Sequence, residues 1–529
     1  MKKIKIIFSL LVATILYSSC EKYLDINTDQ SYPQETSPEA LIAPIIFRMV
    51  DGLTFDNRTI NKYNQYLAGS NSGASYVSYL LNWERHGFTM PLENIGERMW
   101  RTVYYDLGIN LEDMISKGKE EGKTEYVGIG YAIKAWAYQM LTDMHGPIIL
   151  DEAFQEGKLT FRYQDQPEVY ERVRQWCDSA VKYLELQPAI SSANKLRLYS
   201  GDNIYAGDLS KWIKFVYGLR AVQYGRLVRK SEFASHYADS VSKYVDLSFV
   251  NSTDDAKVRF TASNSSNGNP WGPELGRLSS SYYYHAGNPV LKYMTGGMRG
   301  EPIVDTTGSI DPRLLRLLTR SGSDSVFRAA VPAASSANSS VPVVHGPNFA
   351  DGIGRFIFAN KASFPLMSYS QLMFIKAEAM YLKGNLELAY DSYLKGISGN
   401  MNFINSYYSS SGMGDDARIS AAEMSSYLSS SEVAQDESEL TLADIMGQKY
   451  VALWPWGAIE TWSDLRKHHY DFSIYRQYTP ISNLMYGDYA YRLRPRYYSE
   501  YNWNRKELDK WGGLDAEYGI KKVWFATED

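Results

Sequence analysis

Aromatic and polar side chains that could hold a flat, hydroxyl-rich molecule are concentrated in two segments, 70–95 and 264–299. Neither segment shows a helical stripe, so its rings have no obvious burial partner. A pyranose has a flat C–H face that packs on an aromatic ring, and a rim of hydroxyls that hydrogen-bond with amides, carboxylates or arginine. The residues that this pattern nominates for ligand binding are Tyr76, Tyr79, Trp83, Trp271, Tyr282, Tyr283 and Arg299.

Trp83 and Trp271 are the strongest of these candidates, because an indole offers the largest stacking face. The alternative for each ring is that it packs its loop onto a scaffold, and the sequence leaves both interpretations open. The chain contains 43 tyrosines and 12 tryptophans, and most of the tyrosines are expected in seams between helices.

Sequence motifs for nucleophilic, metal or nucleotide chemistry are missing. The chain contains no HExxH, CxxC or GxSxG pattern, and its two cysteines are too few for a thiolate zinc site. Asp25 opens a stretch that begins like a calcium loop, but Gln30 and Thr36 stand where such a loop requires Gly and Glu. We therefore predict no metal, no cofactor and no enzymatic activity, although the 60 Asp and Glu residues leave a glycosidase-like carboxylate pair open.

The first twenty residues carry an export pattern. Three lysines open the chain, residues 6–17 are uncharged and mostly apolar, and two serines precede Cys20. At about 1.5 Å per residue, the apolar run is too short to cross a hydrocarbon core of about 30 Å. The pattern resembles a bacterial lipoprotein signal, apart from Tyr17 where an aliphatic residue is usual. It predicts a signal peptide over 1–19 and a lipid on Cys20 that anchors the chain to a membrane; an ordinary secretory signal is the alternative.

The net charge bears on the class of binding partner, and the cysteine count bears on whether the chain has a disulfide. Removal of residues 1–19 would delete three lysines and no acid, which takes the formal net charge from −5 to −8. We expect no nucleic-acid partner, because phosphate binding requires a basic face. Cys177 would then be the one thiol left besides Cys20, so the exported chain would have no internal disulfide; it lies in an apolar helical pattern and is expected to be buried.

Apolar residues recur at helical spacing along much of the chain, and they predict paired helices. The clearest pair lies within residues 373–397, where Ala377 and Ala389 flank Gly384 and Tyr393 follows. This pattern resembles one tetratricopeptide unit, in which small residues allow close packing, the glycine makes the turn and the tyrosine fills the gap. A single unit buries too little surface, so further pairs are expected at 97–117 with 124–144 and at 168–186 with 208–228.

Long polar segments interrupt these helices near 261–289, 321–352 and 406–431. Loops of this length are uncommon in a compact domain unless they are functional or disordered. We predict an all-α dominated fold, with tetratricopeptide-like helical pairs and an irregular ligand-binding lobe built from long loops. After the signal peptide, residues 20–529 are expected to form a single domain.

Several segments, taken in order, resemble the SusD/RagB family in its second SusD-like branch. The stretch that begins at Cys20 resembles the opening of that family, and the departures are Tyr498-Ser499, where Tyr-Pro is usual, and the loop-rich middle of the chain. The other segments that carry the resemblance are Trp100–Asn110, Ala132–Pro147, Lys211–Arg220, Lys376–Gly384, Lys449–Arg466 and Arg494–Asn504.

The resemblance implies a lipoprotein on the cell surface, at the outer leaflet of the outer membrane. Members of the family cover a SusC-like, TonB-dependent barrel transporter; the repeat helices face the barrel and loops bind the nutrient. We therefore expect a glycan-binding protein that delivers an oligosaccharide to such a transporter. The alternatives are a surface glycoside hydrolase, and a protein-binding scaffold or adhesin whose repeats bind no sugar.

Overall fold

The computed structural model confirms a fold dominated by α-helices. Residues 78–80 are described through their backbone only. Nearly all of the buried apolar side chains belong to one connected core, which the helices and the intervening loops share. The described residues are 36–69, 78–88, 97–186, 192–263, 267–278, 284–303, 306–334, 340–345, 354–408 and 418–528.

The α-helices are numbered in chain order. They are α1 Pro38–Tyr63, α2 Ser78–Glu84, α3 Arg98–Arg101, α4 Gly108–Glu120, α5 Thr124–His145, α6 Gln166–Glu185, α7 Ser192–Gly201, α8 Leu209–Gly225, α9 Ala238–Asp246, α10 Asn288–Lys292, α11 Leu314–Leu317, α12 Tyr369–Lys383, α13 Leu386–Asn405, α14 Ala421–Leu428, α15 Leu442–Leu453, α16 Ala458–Lys467 and α17 Arg505–Lys510. In the part of the chain that is described, none of them combines the length and the apolar character that crossing a membrane requires.

Shorter helical turns and strands join these helices. The π-helical turns are Thr102–Asp106, Phe233–Tyr237, Tyr293–Gly297 and Tyr497–Tyr501, and the 3₁₀ turns are Ser252–Asp254, Phe356–Phe358, Ala516–Ile520 and Trp524–Ala526. The strands are β1 Leu67–Ala68, β2 Ile148–Ile149, β3 Tyr163–Gln164, β4 Ala256–Val258, β5 His285–Ala286 and β6 Phe364–Met367. They pair as antiparallel ribbons, β1 with β5, β2 with β3 and β4 with β6.

The predicted repeat unit is confirmed as the hairpin of α12 and α13. Gly384 ends α12 with φ 87°, a left-handed conformation that glycine adopts without steric cost. Ala377, Ala389 and Tyr393 are fully buried. A Cβ atom at Gly396 would lie 2.7 Å from the Phe374 ring, so the two helices approach as closely as these small residues permit.

The helices predicted at 97–117 and 124–144 also form, as α3, α4 and α5, and α4 packs along α5. Gly128 and Gly130 lie within α5, and each contacts a different neighbouring helix. A Cβ atom on Gly130 would lie 2.6 Å from Ile115 of α4, and one on Gly128 would lie 2.6 Å from Leu184 of α6. Both glycines therefore serve close packing between helices. The helix α6 then packs against α8, as predicted for 168–186 and 208–228.

Part of the segment 406–431, predicted as a loop, is helical. Ser420 and Glu423 form a reciprocal capping box that begins α14. The helix is held because the buried Tyr427 hydroxyl accepts hydrogen bonds from Arg313 (3.2 Å) and Gln448 (2.9 Å). Serine-rich composition concealed this helix, because its one buried anchor is too little to produce a visible apolar stripe.

A buried ionic cluster joins α12, α15 and α16. The carboxylate of Glu378 lies 2.7 Å from the Lys467 ammonium and 2.7 Å from Nε2 of His468. Asp464 lies 2.9 Å from Lys449 and 2.9 Å from Lys467. The four charged side chains of Glu378, Lys449, Asp464 and Lys467 are at most 3% exposed, so each charge depends on its neighbours for solvation.

Candidate functional site: an aromatic cavity at two π-helical turns

A cavity of about 520 Å³ opens beside α3 and the C-terminal segment. Its volume is within the usual range for small-molecule sites. Five aromatic side chains line it, and two arginines, one serine and one glutamate supply further polar groups. The lining residues are Trp100, Arg101, Tyr104, Tyr105, Ile149, Ala153, Phe154, Phe161, Arg496, Ser499 and Glu500.

Two π-helical turns position the lining residues. Tyr104 and Tyr105 belong to the turn Thr102–Asp106, which interrupts the path from α3 into α4, while Ser499 and Glu500 belong to the turn Tyr497–Tyr501. A π-turn adds a residue to the helical path and so redirects the side chains that it carries, and such turns occur frequently at functional sites. Two parts of the cavity wall, one with Tyr104 and Tyr105 and one with Ser499 and Glu500, therefore lie on π-helical turns.

The aromatic wall combines buried and half-buried rings with one exposed ring, that of Tyr105, whose centre lies 5.3 Å from the Arg101 guanidinium. Trp100 is buried and meets Tyr104 edge to face, with ring centroids 5.2 Å apart. The Tyr104 hydroxyl donates a hydrogen bond to the Ile149 carbonyl of β2, which fixes that ring. Tyr105, in contrast, is 72% exposed. A large exposed ring beside a preformed cavity is available to a ligand without disturbing the core.

The polar groups differ in how strongly they are already engaged. Arg101 lies 3.3 Å from Asp106, its neighbour at the other end of the turn. Glu500 is 3% exposed, and its carboxylate accepts hydrogen bonds from the Tyr163 hydroxyl and from Nδ2 of Asn504. Burial raises the pKa of Glu500 in spite of these donors. The Arg496 guanidinium lies 5.7 Å from the centre of the Tyr498 ring.

This arrangement suits binding better than hydrolysis. Glycoside hydrolysis generally requires a pair of carboxyl groups at a set separation across the scissile bond. Among the lining residues that the structure describes, Glu500 is the one carboxylate, and its donors fix it in the wall. Rings with a few hydrogen-bonding groups at the rim can still hold a sugar by stacking and hydrogen bonding.

The structure places the two preferred candidates of the sequence pattern, Trp83 and Trp271, in the core. Trp271 is fully buried; its indole N–H donates to the Thr54 carbonyl (3.1 Å), and its ring meets Phe364 edge to face at 5.1 Å. Trp83, in α2, is 3% exposed and packs on Tyr63 with ring centroids 5.2 Å apart. Neither indole presents a free face to a ligand, because each fills the core beneath its loop.

Of the other candidates, Arg299 has a described side chain and the tyrosines do not. Arg299 is engaged by two carboxylates, with Glu439 at 3.1 Å and Asp444 at 3.4 Å. The strand β1, which ends two residues before the first segment, pairs with β5 of the second segment. Five predicted residues lie where the structure gives no side-chain description: Cys20, Tyr76, Tyr282 and Tyr283 are outside the described residues, and Tyr79 lies in α2 with only its backbone described.

The sequence pattern missed Tyr105, Arg496 and Ser499. Tyr105 falls off the apolar stripe of its helix, which is the signal that could have nominated it as an exposed ring. The departure from the family pattern at Tyr498-Ser499 lies at this cavity, because Ser499 lines it.

The helical-repeat scaffold and its aromatic cavity define the general class, an α-helical fold that carries a preformed cavity. The profile of the SusD-like family, second branch, described as starch-binding and associating with the outer membrane, matches residues 30–478. The chain belongs to this family, which confirms the resemblance found in the sequence. No curated protein matches the chain.

Solved structures share the fold over almost the whole chain. A SusD/RagB family protein from Bacteroides thetaiotaomicron is 21% identical, with a TM-score of 0.68 over 94% of this chain and 100% of that one. A SusD homologue from Bacteroides fragilis is 17% identical, with a TM-score of 0.68 over 94% and 100%. A chitin-binding SusD homologue from Flavobacterium johnsoniae is 18% identical, with a TM-score of 0.66 over 93% and 99%. At these identities the likeness establishes the fold alone.

Proposed function

We propose that this protein binds an oligosaccharide in the aromatic cavity and delivers it to a SusC-like, TonB-dependent transporter of the outer membrane. Membership of a family described as starch-binding and outer-membrane associated supports the proposal. The observation that carries it is the exposed ring of Tyr105 beside a preformed cavity in which Trp100 and Tyr104 are held by core contacts. The similar chitin-binding homologue indicates that this fold is compatible with a sugar ligand.

In this proposal the cavity holds a sugar without chemical change. The Tyr105 ring packs on the C–H face of a pyranose at the cavity mouth. Arg496 hydrogen-bonds to its substituents, and the inner aromatic wall excludes water around them. Because the wall is fixed before binding, little conformational entropy is lost when the ligand enters.

Replacement of Tyr105 by Ala tests this site. We expect affinity for the bound oligosaccharide to fall about three- to tenfold, the equivalent of one aromatic stacking contact. Stability should change by less than about 0.5 kcal/mol, because the ring is exposed. A glycan array with the chain from Glu21 onward identifies the ligand, and titration calorimetry then compares the variants.

Trp503→Ala is the matched control, since Trp503 is 68% exposed and does not line the cavity. It should leave affinity unchanged. Equal affinity of wild type and Tyr105→Ala for every ligand found would place the site elsewhere. Turnover of a labelled oligosaccharide by the wild type would instead favour a surface glycoside hydrolase, and partner binding without any sugar binding would favour a scaffold or adhesin.

The anchor and the transporter are tested together. Metabolic labelling with a lipid analogue should tag the wild type and not Cys20→Ala, because the acylated side chain is absent from the variant. Mild-detergent purification of the wild type from outer membranes should recover a β-barrel partner. Labelling that persists in the Ala variant would contradict the lipid site, and recovery of the lipoprotein alone in several detergents would contradict the transporter.

A further inference from the structure

One guanidinium of the cavity lining, that of Arg496, makes no ion pair and no hydrogen bond with any residue that the structure describes. It lies 5.7 Å from the centre of the Tyr498 ring, and its charge acts on Glu97. Arg101, the other lining arginine, is already paired with Asp106. An arginine presents five N–H donors and accepts none, so Arg496 suits an oxyanion better than a hydroxyl.

Three further arginines lie around the Phe55 ring, one of them Arg98 at the start of α3, and none of them lines the cavity. On the Arg98 side of the helix, the guanidinium groups of Arg58, Arg98 and Arg277 lie 4.0, 5.5 and 5.4 Å from the centre of the Phe55 ring. Asp51 is the carboxylate that pairs with Arg98 and Arg277. Arginines therefore outnumber the carboxylates that they contact, although the chain as a whole has a net charge of −5.

Two buried glutamates of this region, Glu97 and Glu500, ionise less readily than exposed glutamates do. Burial raises the pKa of Glu97, which senses the charge of Arg496, to about 7. Burial likewise raises the pKa of Glu500. Both groups are thus protonated over a wider pH range than an exposed glutamate, and this leaves the Arg496 charge exposed to a ligand.

We infer that the cavity selects an acidic oligosaccharide and that Arg496 binds the carboxylate or sulfate group of that ligand. This inference rests on the proposed function and names its substrate class. Arginine binds both anions through paired N–H donors, a geometry that a neutral hydroxyl cannot match. Tyr105 would hold the sugar ring, and Arg496 would distinguish an acidic ring from a neutral one.

Two matched pairs of ligands test the inference by calorimetry. The carboxylate pair is an oligogalacturonate and its methyl ester; the sulfate pair is a carrageenan oligosaccharide and its desulfated form. We expect the acidic member of at least one pair to bind about tenfold more tightly or better at about 50 mM salt, and we expect this ratio to shrink at about 500 mM salt. The pair that shows the difference identifies the anion.

Arg496→Gln should reduce that ratio to about one, and Arg496→Lys, which keeps a charge but loses the planar fork, should retain part of it. Tyr105→Ala should weaken both members of the pair and keep the ratio. Arg505→Gln is the charge-matched control, because Arg505 is exposed on α17 and does not line the cavity; it should keep the ratio as well. Circular dichroism confirms that each variant is folded.

Three results would overturn the inference. Neutral members that bind as tightly as acidic ones, or a ratio that Arg496→Gln leaves unchanged, would remove the anion preference while the proposed glycan binding stands. Failure of the wild type to bind either pair and also starch or chitin oligosaccharides would remove the proposed function itself, and the inference with it.

Discussion

The Trp271 indole is enclosed by contacts from three directions. Its N–H donates to the Thr54 carbonyl of α1, while Phe364 and Phe358 pack on its ring at 5.1 and 6.0 Å. Asn269 accepts a hydrogen bond from the Trp271 backbone N–H at 3.1 Å. This one side chain therefore attaches an irregular loop to a helix and to the strand β6.

Trp271→Ala should lower the free energy of unfolding by about 3–5 kcal/mol, because it removes a buried aromatic side chain and leaves a cavity. Trp271→Phe should cost less, since it keeps part of the volume. Denaturant unfolding measures both, with the exposed Trp503→Ala as the control expected within about 0.5 kcal/mol of wild type. A Trp271→Ala variant with wild-type stability and weakened glycan binding would return Trp271 to the ligand site.

Residue type was a poor guide to the candidate site. An indole is both the largest stacking face and the largest filler of a core, and a single sequence gives no exposure for Trp83 or Trp271. Tyr105 could have been found from its position off the helical stripe. Arg496 could not, because its proposed role depends on contacts among the described residues, which a sequence does not give.

At the scale of elements, the hairpin of α12 and α13 depends on small side chains at its crossing. Ala377→Leu should overpack this seam and lower stability by about 1–3 kcal/mol. Ala422→Leu in α14 is the control, because Ala422 is exposed and leucine is also a good helix former. Thermal melting compares the two; equal melting temperatures for Ala377→Leu and wild type would show that Ala377 is not at a close contact.

Helix pairing was the predictable part of the fold. Apolar spacing and small residues mark which faces must pack, and those signals located α4, α5, α6, α8, α12 and α13. The π-helical turns that build the cavity left no comparable signal. A π-turn displaces the pattern by about one residue, which is within the uncertainty of any helix boundary read from sequence.

At the scale of the molecule, the buried ionic cluster fastens helices that are distant in the sequence. Burial acts to raise the pKa of Glu378, but the charges of Lys467 and Lys449 and the hydrogen bond of His468 outweigh it and hold that pKa below its ordinary value. Charged residues in α12, α15 and α16 gave no hint of this role, because lysine and glutamate normally indicate a solvated face.

Glu378→Gln should destabilise the protein by about 3–5 kcal/mol at neutral pH, because it leaves two buried lysines with one remaining carboxylate, Asp464. The pKa of Glu378 is lower in the folded state than in the unfolded state. The stabilisation by its charge is therefore fully present above the unfolded-state pKa of about 4.3, and it is lost as the pH falls through the folded-state pKa. The gap between variant and wild type should therefore narrow below about pH 4. Denaturant unfolding across pH measures it; a gap that is constant with pH would contradict the role of the charge.

Glu387→Gln is the control for that comparison. Glu387 is exposed at the start of α13, so its neutralisation should change stability by less than about 0.5 kcal/mol. Equal losses in the two variants would indicate a general effect of net charge on the acidic chain.

Cys177 is a built-in probe of local unfolding around α6. The thiol is 1% exposed within α6, and burial raises its pKa to about 12, so the folded chain offers almost no reactive thiolate. With Cys20 outside the chain from Glu21 onward, a thiol reagent finds no second target to obscure the first. The rate at which the reagent modifies Cys177 then reports how often α6 separates from the core. The measurement is made under native conditions and needs no introduced probe.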